Sequence, residues 1–194
     1  MKTQRQTQKD QTRKLLLDTA IVQLAKDGLI TTKTSDIAKA AGVSHGTVFV
    51  HFPTREILLS EVIEEVGMRI ASRLNELAGN GGSVRDILTA HLKGLSEYEA
   101  FYTRLVVENN LIPEKSRHTL IMIQSAISIH LNHAVEREVS LGSIRPFPTH
   151  LLFNTWVGLI HYYLSNADLF SPNHSVLHRH GQTLIDHFLT MISP

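Results

Sequence analysis

Apolar residues recur along this chain at spacings of three and four, the period of a helix with one buried face. No stretch alternates convincingly with period two, so the pattern predicts an all-α protein. Leu17, Ala20, Ile21 and Leu24 form the buried stripe of a first helix from about Thr12 to Asp27. Two short helices follow within residues 34–52. A long fourth helix starts at Thr54 as N-cap and runs to about Leu77, with Leu58, Leu59, Val62, Val66, Ile70 and Leu74 on one apolar face. Asn80-Gly81-Gly82-Ser83 is the clearest break. Beyond it the pattern predicts helices at about 84–98, 100–110, 114–140, 148–167 and 174–192, bounded by Pro113, Pro146, Pro148 and Pro172. Residues 1–11 are polar and are expected to be a disordered arm in the free protein.

The most informative stretch is TSDIAKAAGVSHGTVFVHFPTR, residues 34–55. Ile37, Ala38 and Ala41 supply one apolar face of its first helix. Gly42 ends that helix, because a left-handed residue costs glycine nothing sterically. Ser44 caps the next helix by accepting from amides of its first turn. Val43, Val48 and Phe52 recur at helical spacing and are expected to face inward. That leaves His45, Gly46, Thr47, Phe49 and His51 on outward or edge positions. A helix of this size fits the major groove of DNA with its N-terminal residues at the base edges.

AGVSHGTVFVHF resembles the recognition-helix signature of the TetR family of bacterial transcription regulators, through Ala41, Gly42, Val43, Ser44, Gly46, Thr47, Val48, His51 and Phe52. The similarity extends back through Asp36, Ile37 and Ala38 to Gly28, and forward through Thr54, Arg55, Glu56 and Leu58, covering roughly residues 12–60. Three departures stand out. Lys33 sits where that family favours Thr or Ser, so a capping box with Asp36 lacks its hydroxyl. Thr32, Thr34 or Ser35 is left to cap the second helix. Phe49 replaces a common Tyr and its phosphate-binding hydroxyl, and Ala25 and Leu29 replace larger aromatics.

The resemblance implies a DNA-binding head with a helix-turn-helix at residues 1–55 and a helical effector-binding and dimerisation body at 56–194. It implies a homodimer on a palindromic double-stranded operator, and a repressor released by a small-molecule effector. Lys33, Lys39, Arg55 and the arm are expected to neutralise phosphates, with Thr34 and Ser35 beside them at the start of the second helix. Arg55 is expected to share one phosphate with the amides that open the fourth helix. His45 and Thr47 are the candidates for base edges, next to Ser44 and the bare backbone of Gly46. Phe49 is expected to pack on sugar or a thymine methyl, and His51 to donate to a phosphate. The plain alternative for each is a surface residue near DNA without readout.

Charge changes the picture more than composition does. The net charge over 194 residues is only +1, which alone argues against nucleic acid. Residues 1–55 nevertheless carry nine Lys and Arg against four Asp, net +5, and the remainder is net −4. A basic head on an acidic body fits a DNA-binding domain attached to a domain with another task, and argues against a sequence-blind architectural protein. An apolar fraction of 42% suffices for a packed core. No apolar run approaches 18 residues, so no membrane partner is expected. The polar N-terminus is not a secretory signal, and the absence of cysteine fits the cytoplasm.

In the body, polar groups on otherwise apolar helices are the candidate ligand contacts. His91, Tyr98, Tyr102, Ser125 and Trp156, with Met68, Met122 and Phe153, compose a mostly apolar pocket with a few fixed polar groups. The apolar bias points to a flat, aromatic or acyl effector. A lone His or Tyr on such a helix is more often a hydrogen-bonded core residue. In the last two helices Leu152, Thr155, Leu159 and Tyr163 leave too many apolar positions for one buried face. Leu177, Leu184, Ile185 and Phe188 add a second stripe, and both are assigned to the dimer interface. Twelve histidines, including His130 with His133 and a group at His174, His178 and His180, leave a metal- or pH-responsive regulator as an alternative. No resident metal or cofactor is expected. No nucleophile elbow, phosphate loop or HExxH motif is present, so the chain does not read as an enzyme.

Overall fold

The computed structural model describes residues 3–79 and 81–194. Met1 and Lys2 of the expected arm, Asn80 of the expected break, and the side chain of Ala126 lie outside that description. The described residues form helices and no strand. The order is α1 (Gln4–Asp27), α2 (Thr34–Ala40), α3 (His45–His51), α4 (Arg55–Ala78), α5 (Val84–Ser96), α6 (Glu99–Val107), a 3-10 turn (Asn109–Leu111), α7 (Glu114–Ser140), α8 (Thr149–Ser165), α9 (Ala167–Phe170) and α10 (Val176–Ile192). No helix among the described residues is long and apolar enough to cross a membrane.

The expectation of a disordered arm is corrected. Helix α1 begins at Gln4, eight residues before the apolar stripe suggested. The physical cause is local. Thr3 caps the helix by accepting from the amide of Gln6, and the Gln6 amide group donates to Asp10 one turn on at 2.9 Å. Apolar periodicity is blind to such turns because they bury nothing.

The chain divides into two compact units, residues 1–66 with 100–120, and residues 67–99 with 121–194. Helices α4, α6 and α7 therefore each pass from one unit into the other.

In the first unit, Leu16, Leu17, Ala20, Leu24 and Leu29 pack with Ile37, Val48, Phe52, Leu58 and Val62. Gly42 has φ 68°, and its amide closes the end of α2 on the carbonyl of Lys39 at 3.2 Å. Burial of this many aliphatic side chains, each worth about 1.5–3 kcal/mol, fixes where α3 can lie. Helix α6 and the turn after it hold the segment that follows α1. Arg104 donates to the carbonyls of Ala25 and Lys26, and the Glu108 carboxylate accepts from the amide of Ile30 at 3.0 Å.

In the second unit, α10 packs on α5 and α8. The rings of Trp156 and Phe188 meet edge-on at 5.3 Å. Arg85 of α5 pairs with Asp186 of α10 at 2.6 Å. The Glu99 carboxylate caps α10, accepting from the amide of Val176 at 2.7 Å and from the hydroxyl of Ser175 at 2.5 Å. At Gly67 α4 and α7 cross so closely that a Cβ would lie 2.2 Å from Cδ1 of Ile123.

Candidate nucleic-acid interface

Helices α2 and α3 present the outward face that the sequence marked. Ser44 caps α3, accepting from the amide of Thr47 at 3.1 Å, and the two hydroxyls share a 2.8 Å hydrogen bond. Val48 is fully buried beneath and fixes the rotation of the helix. His45, Gly46, Phe49 and Val50 are then exposed, with Val50 72% accessible. A Cβ at Gly46 would approach only the Ser44 hydroxyl, at 3.8 Å, so nothing from the protein fills that space.

The candidate base-reading side chain is held in place before any ligand arrives. The His45 ring nitrogen Nε2 shares a 2.9 Å hydrogen bond with the Thr34 hydroxyl. Its ring also lies 4.9 Å from that of Phe49. Thr34 thereby ties the start of α2 to the start of α3. Ser35 and Lys33 are exposed beside it. Lys33 stands at the N-cap of α2 and carries no side-chain acceptor. Half of a capping box remains, in that the Asp36 carboxylate accepts from the amide of Lys33 at 3.2 Å. Thr32 does not take over the cap: its hydroxyl is buried and donates to the carbonyl of Gly28 at 2.6 Å.

Arg55 is the clearest correction at this face. It was expected to meet a phosphate. Instead its guanidinium donates to the carbonyls of Leu29, Ile30 and Thr32. Those carbonyls belong to the segment between α1 and α2, which has no ladder of its own and needs donors. Arg55 is a positioning residue that fastens this segment to α4. Thr54 does cap α4, accepting from the amide of Ile57 at 3.2 Å.

His51, at the end of α3, lies part-buried against α1. Burial first, then the charges of Lys9 and Arg13, hold its pKa below the usual histidine value. Arg13 is itself paired with Glu61 and stacked over the ring of Phe52 at 5.3 Å. The Nδ1 atom of His51 is buried without a hydrogen-bond partner. A cleft of about 520 Å³ runs between α1 and α3, lined by Arg5, Gln8, Lys9 and Thr12 on one side and by Thr47, Val50 and His51 on the other. Sequence reasoning missed this cleft because it took the first turns of α1 for a free arm.

The body residues fare differently. His91 and Trp156 do come together: the indole N–H donates to Nδ1 of His91 at 3.1 Å, deep in the second unit. Burial pushes His91 down to about 4, with repulsion from His161 adding to it, and burial pushes His161 down to about 4 as well. Phe153 is buried in the same unit, and Tyr98 lies part-buried with the Arg69 guanidinium 5.9 Å above its ring. Tyr102, by contrast, is buried in the first unit. Met68 and Met122 are 54% and 71% exposed, and Ser125 is exposed with its hydroxyl turned back to the carbonyl of Ile121. These last four do not join His91 and Trp156 as pocket walls. Their helical positions made them look inward, but only the packing of neighbouring helices decides which stripe is covered.

The interface assignment is corrected in the same way. Leu152, Leu177, Leu184, Ile185 and Phe188 are each at most 3% exposed and form the core of the second unit. Thr155 stays exposed, and Leu159 and Tyr163 are part-exposed. Leu151 and Tyr162 are 48% and 60% exposed on the same helix. No group of three or more His, Asp or Glu side chains converges as a metal site among the described residues.

The fold and this outward, capped second helix define a helix-turn-helix protein with an appended helical unit. Residues 16–62 match the bacterial regulatory proteins of the tetR family. This match places the helix-turn-helix segment, residues 16–62, with that family. It is 38% identical to the HTH-type transcriptional regulator AcrR of Shigella flexneri over 63 residues, 32% of this chain and 28% of that protein. The curated relatives it matches are covered over only 28% to 55% of their length. Likeness of fold extends further. A TetR-family regulator from Agrobacterium tumefaciens superposes with a TM-score of 0.77 at 15% identity, over 96% of this chain and 100% of the other. FadR of Bacillus subtilis, solved in complex with stearoyl-CoA, does so with a TM-score of 0.74 at 17% identity, over 92% and 98%.

Proposed function

We propose that this protein is a ligand-responsive transcriptional repressor that binds a palindromic DNA operator as a homodimer. The observation that carries the reading is the exposed face of α3. Its rotation is set by buried Val48, its start is capped by Ser44, and His45 is held toward solvent by Thr34. A short capped helix with small and polar residues outward fits the major groove, where His45 and Thr47 reach base edges and Gly46 lets the backbone approach. Lys33, Lys39 and Ser35 flank it for phosphates.

One head offers too few contacts for specific affinity, and a two-fold dimer sets two heads about 34–36 Å apart on DNA. Leu151, Thr155, Gly158 and Tyr162 recur on one outward face of α8, and the dimer contact is assigned there rather than to the buried stripes. The effector is a small apolar or aromatic compound entering the second unit near Phe153, Trp156 and His91. The acyl ligand of the structurally similar FadR supports an apolar choice. Release from DNA requires only that effector and operator favour different conformations of the dimer.

The test is selection of bound duplexes from random and genomic DNA by the purified protein. Enrichment of a palindrome is expected. Weak binding to every sequence alike, from protein shown to be free of bound small molecules, would refute the reading and leave an architectural protein in its place.

A further inference from the structure

Helix α1 is longer than its core requires. Its buried residues begin at Leu16; of the roughly 18 Å of helix before them, Arg13 packs over the Phe52 ring, while the turns from Gln4 to Lys9 stay exposed. Helical turns that bury nothing are marginal in water, which makes their side chains the informative part. Arg5, Gln8, Lys9 and Thr12 fall at i, i+3, i+4 and i+7, one face of the helix. Opposite them Thr47, Val50 and His51 fall at i, i+3 and i+4 on α3. The two faces enclose the 520 Å³ cleft. Asp10 is off this face and does not line the cleft.

Two cations one turn apart, with hydroxyl and amide groups between them, suit a polyanion that runs along the helix. They sit beside the helix assigned to the major groove, where the sugar-phosphate backbone must pass. We infer that the cleft between the first turns of α1 and α3 seats one strand of the DNA backbone, with Arg5 and Lys9 each on a phosphate and Val50 and His51 forming the opposite wall. This rests on the assignment of α3 to the major groove. It adds a built, sequence-independent grip where the sequence suggested only a loose arm.

His51 fits that role. Lys9 and Arg13 on α1 face it and disfavour its protonation; Glu61 on α4 is engaged with Arg13. Its unpartnered Nδ1 carries a desolvation cost that a ring reorientation toward a phosphate oxygen removes.

The experiment compares the wild type with Arg5→Ala/Lys9→Ala and with Gln8→Trp. The probes are a duplex recovered by selection on the wild type and a random-sequence duplex of equal length, titrated across salt concentrations. If the wild type does not distinguish the two duplexes, the functional reading fails, and the cleft assignment with it. If it does, the double variant, carried by both protomers of the dimer, is expected to lower the slope of log Kobs against log salt by about 3.6, roughly 0.9 for each of the four lost phosphate contacts. Its ratio of selected to random affinity should hold within about twofold, since phosphate contacts carry no sequence information. An unchanged slope in a variant of wild-type helicity overturns the inference. Gln8→Trp keeps both charges but fills the cleft, and it is expected to weaken both duplexes. Wild-type affinity there would mean that the cations act only as a diffuse field, and would also overturn the seat.

Discussion

Acidification from pH 7 to pH 5 should weaken the second unit through two buried imidazoles. Burial holds His91 and His161 down to about 4, against an ordinary value of 6.5. Between those values the unfolded chain binds a proton at each site that the native chain refuses. The unfolded state then holds more protons, so stability rises with pH across this window and is lost as pH falls from 6.5 toward 4. At pH 5 the unfolded imidazole is about thirtyfold protonated over neutral and the native one about a tenth, which is worth about 2 kcal/mol per site. Two sites give about 4 kcal/mol, a large share of the 5–15 kcal/mol typical of a domain. The assay is urea unfolding at fixed protein concentration, followed by the fluorescence of Trp156, the sole tryptophan. His91→Asn is the decisive variant. Its side-chain oxygen takes the place of Nδ1 as acceptor for the Trp156 indole, and it does not titrate in this range. It should lose about 2 kcal/mol less than the wild type between the two pH values. A wild type equally stable at both pH values, or a variant with the full loss, would refute the reasoning.

Three further outcomes follow from single contacts. Arg55→Ala removes donors from the carbonyls of Leu29, Ile30 and Thr32 and should cost the first unit about 2–4 kcal/mol, read as faster amide exchange across residues 28–36; exchange at the wild-type rate would return Arg55 to a phosphate role. Gly46→Glu should abolish operator binding while helicity and melting stay as in the wild type, because nothing crowds a Cβ there and only DNA meets the new charge. Gly67→Ala should destabilise by about 1–3 kcal/mol through its clash with Ile123, and Ile123→Ala in the same chain should recover part of that loss in a thermal melt; additive losses would show that the crossing is not the cause.

Much of the head was legible in the sequence for a physical reason. Its determinants are local: Ser44 within reach of the Thr47 amide, Gly42 free to adopt φ 68°, and Val48 one turn from Phe52. Such short-range rules hold wherever the segment folds, and they defined the outward face of α3 before any tertiary contact was known. The helical class was equally local, because period and proline spacing record it. What the sequence left open depends on partners far along the chain. Arg55 looks like a phosphate ligand until the carbonyls of Leu29, Ile30 and Thr32 close around it. Leu184 and Phe188 look like an interface until α5 and α8 cover them, whereas Met122 looks like a pocket wall and is left uncovered. An amphipathic stripe states that something must bury it. Which neighbour does so is decided by how the helices pack, and that alone separates core, interface and pocket in this protein.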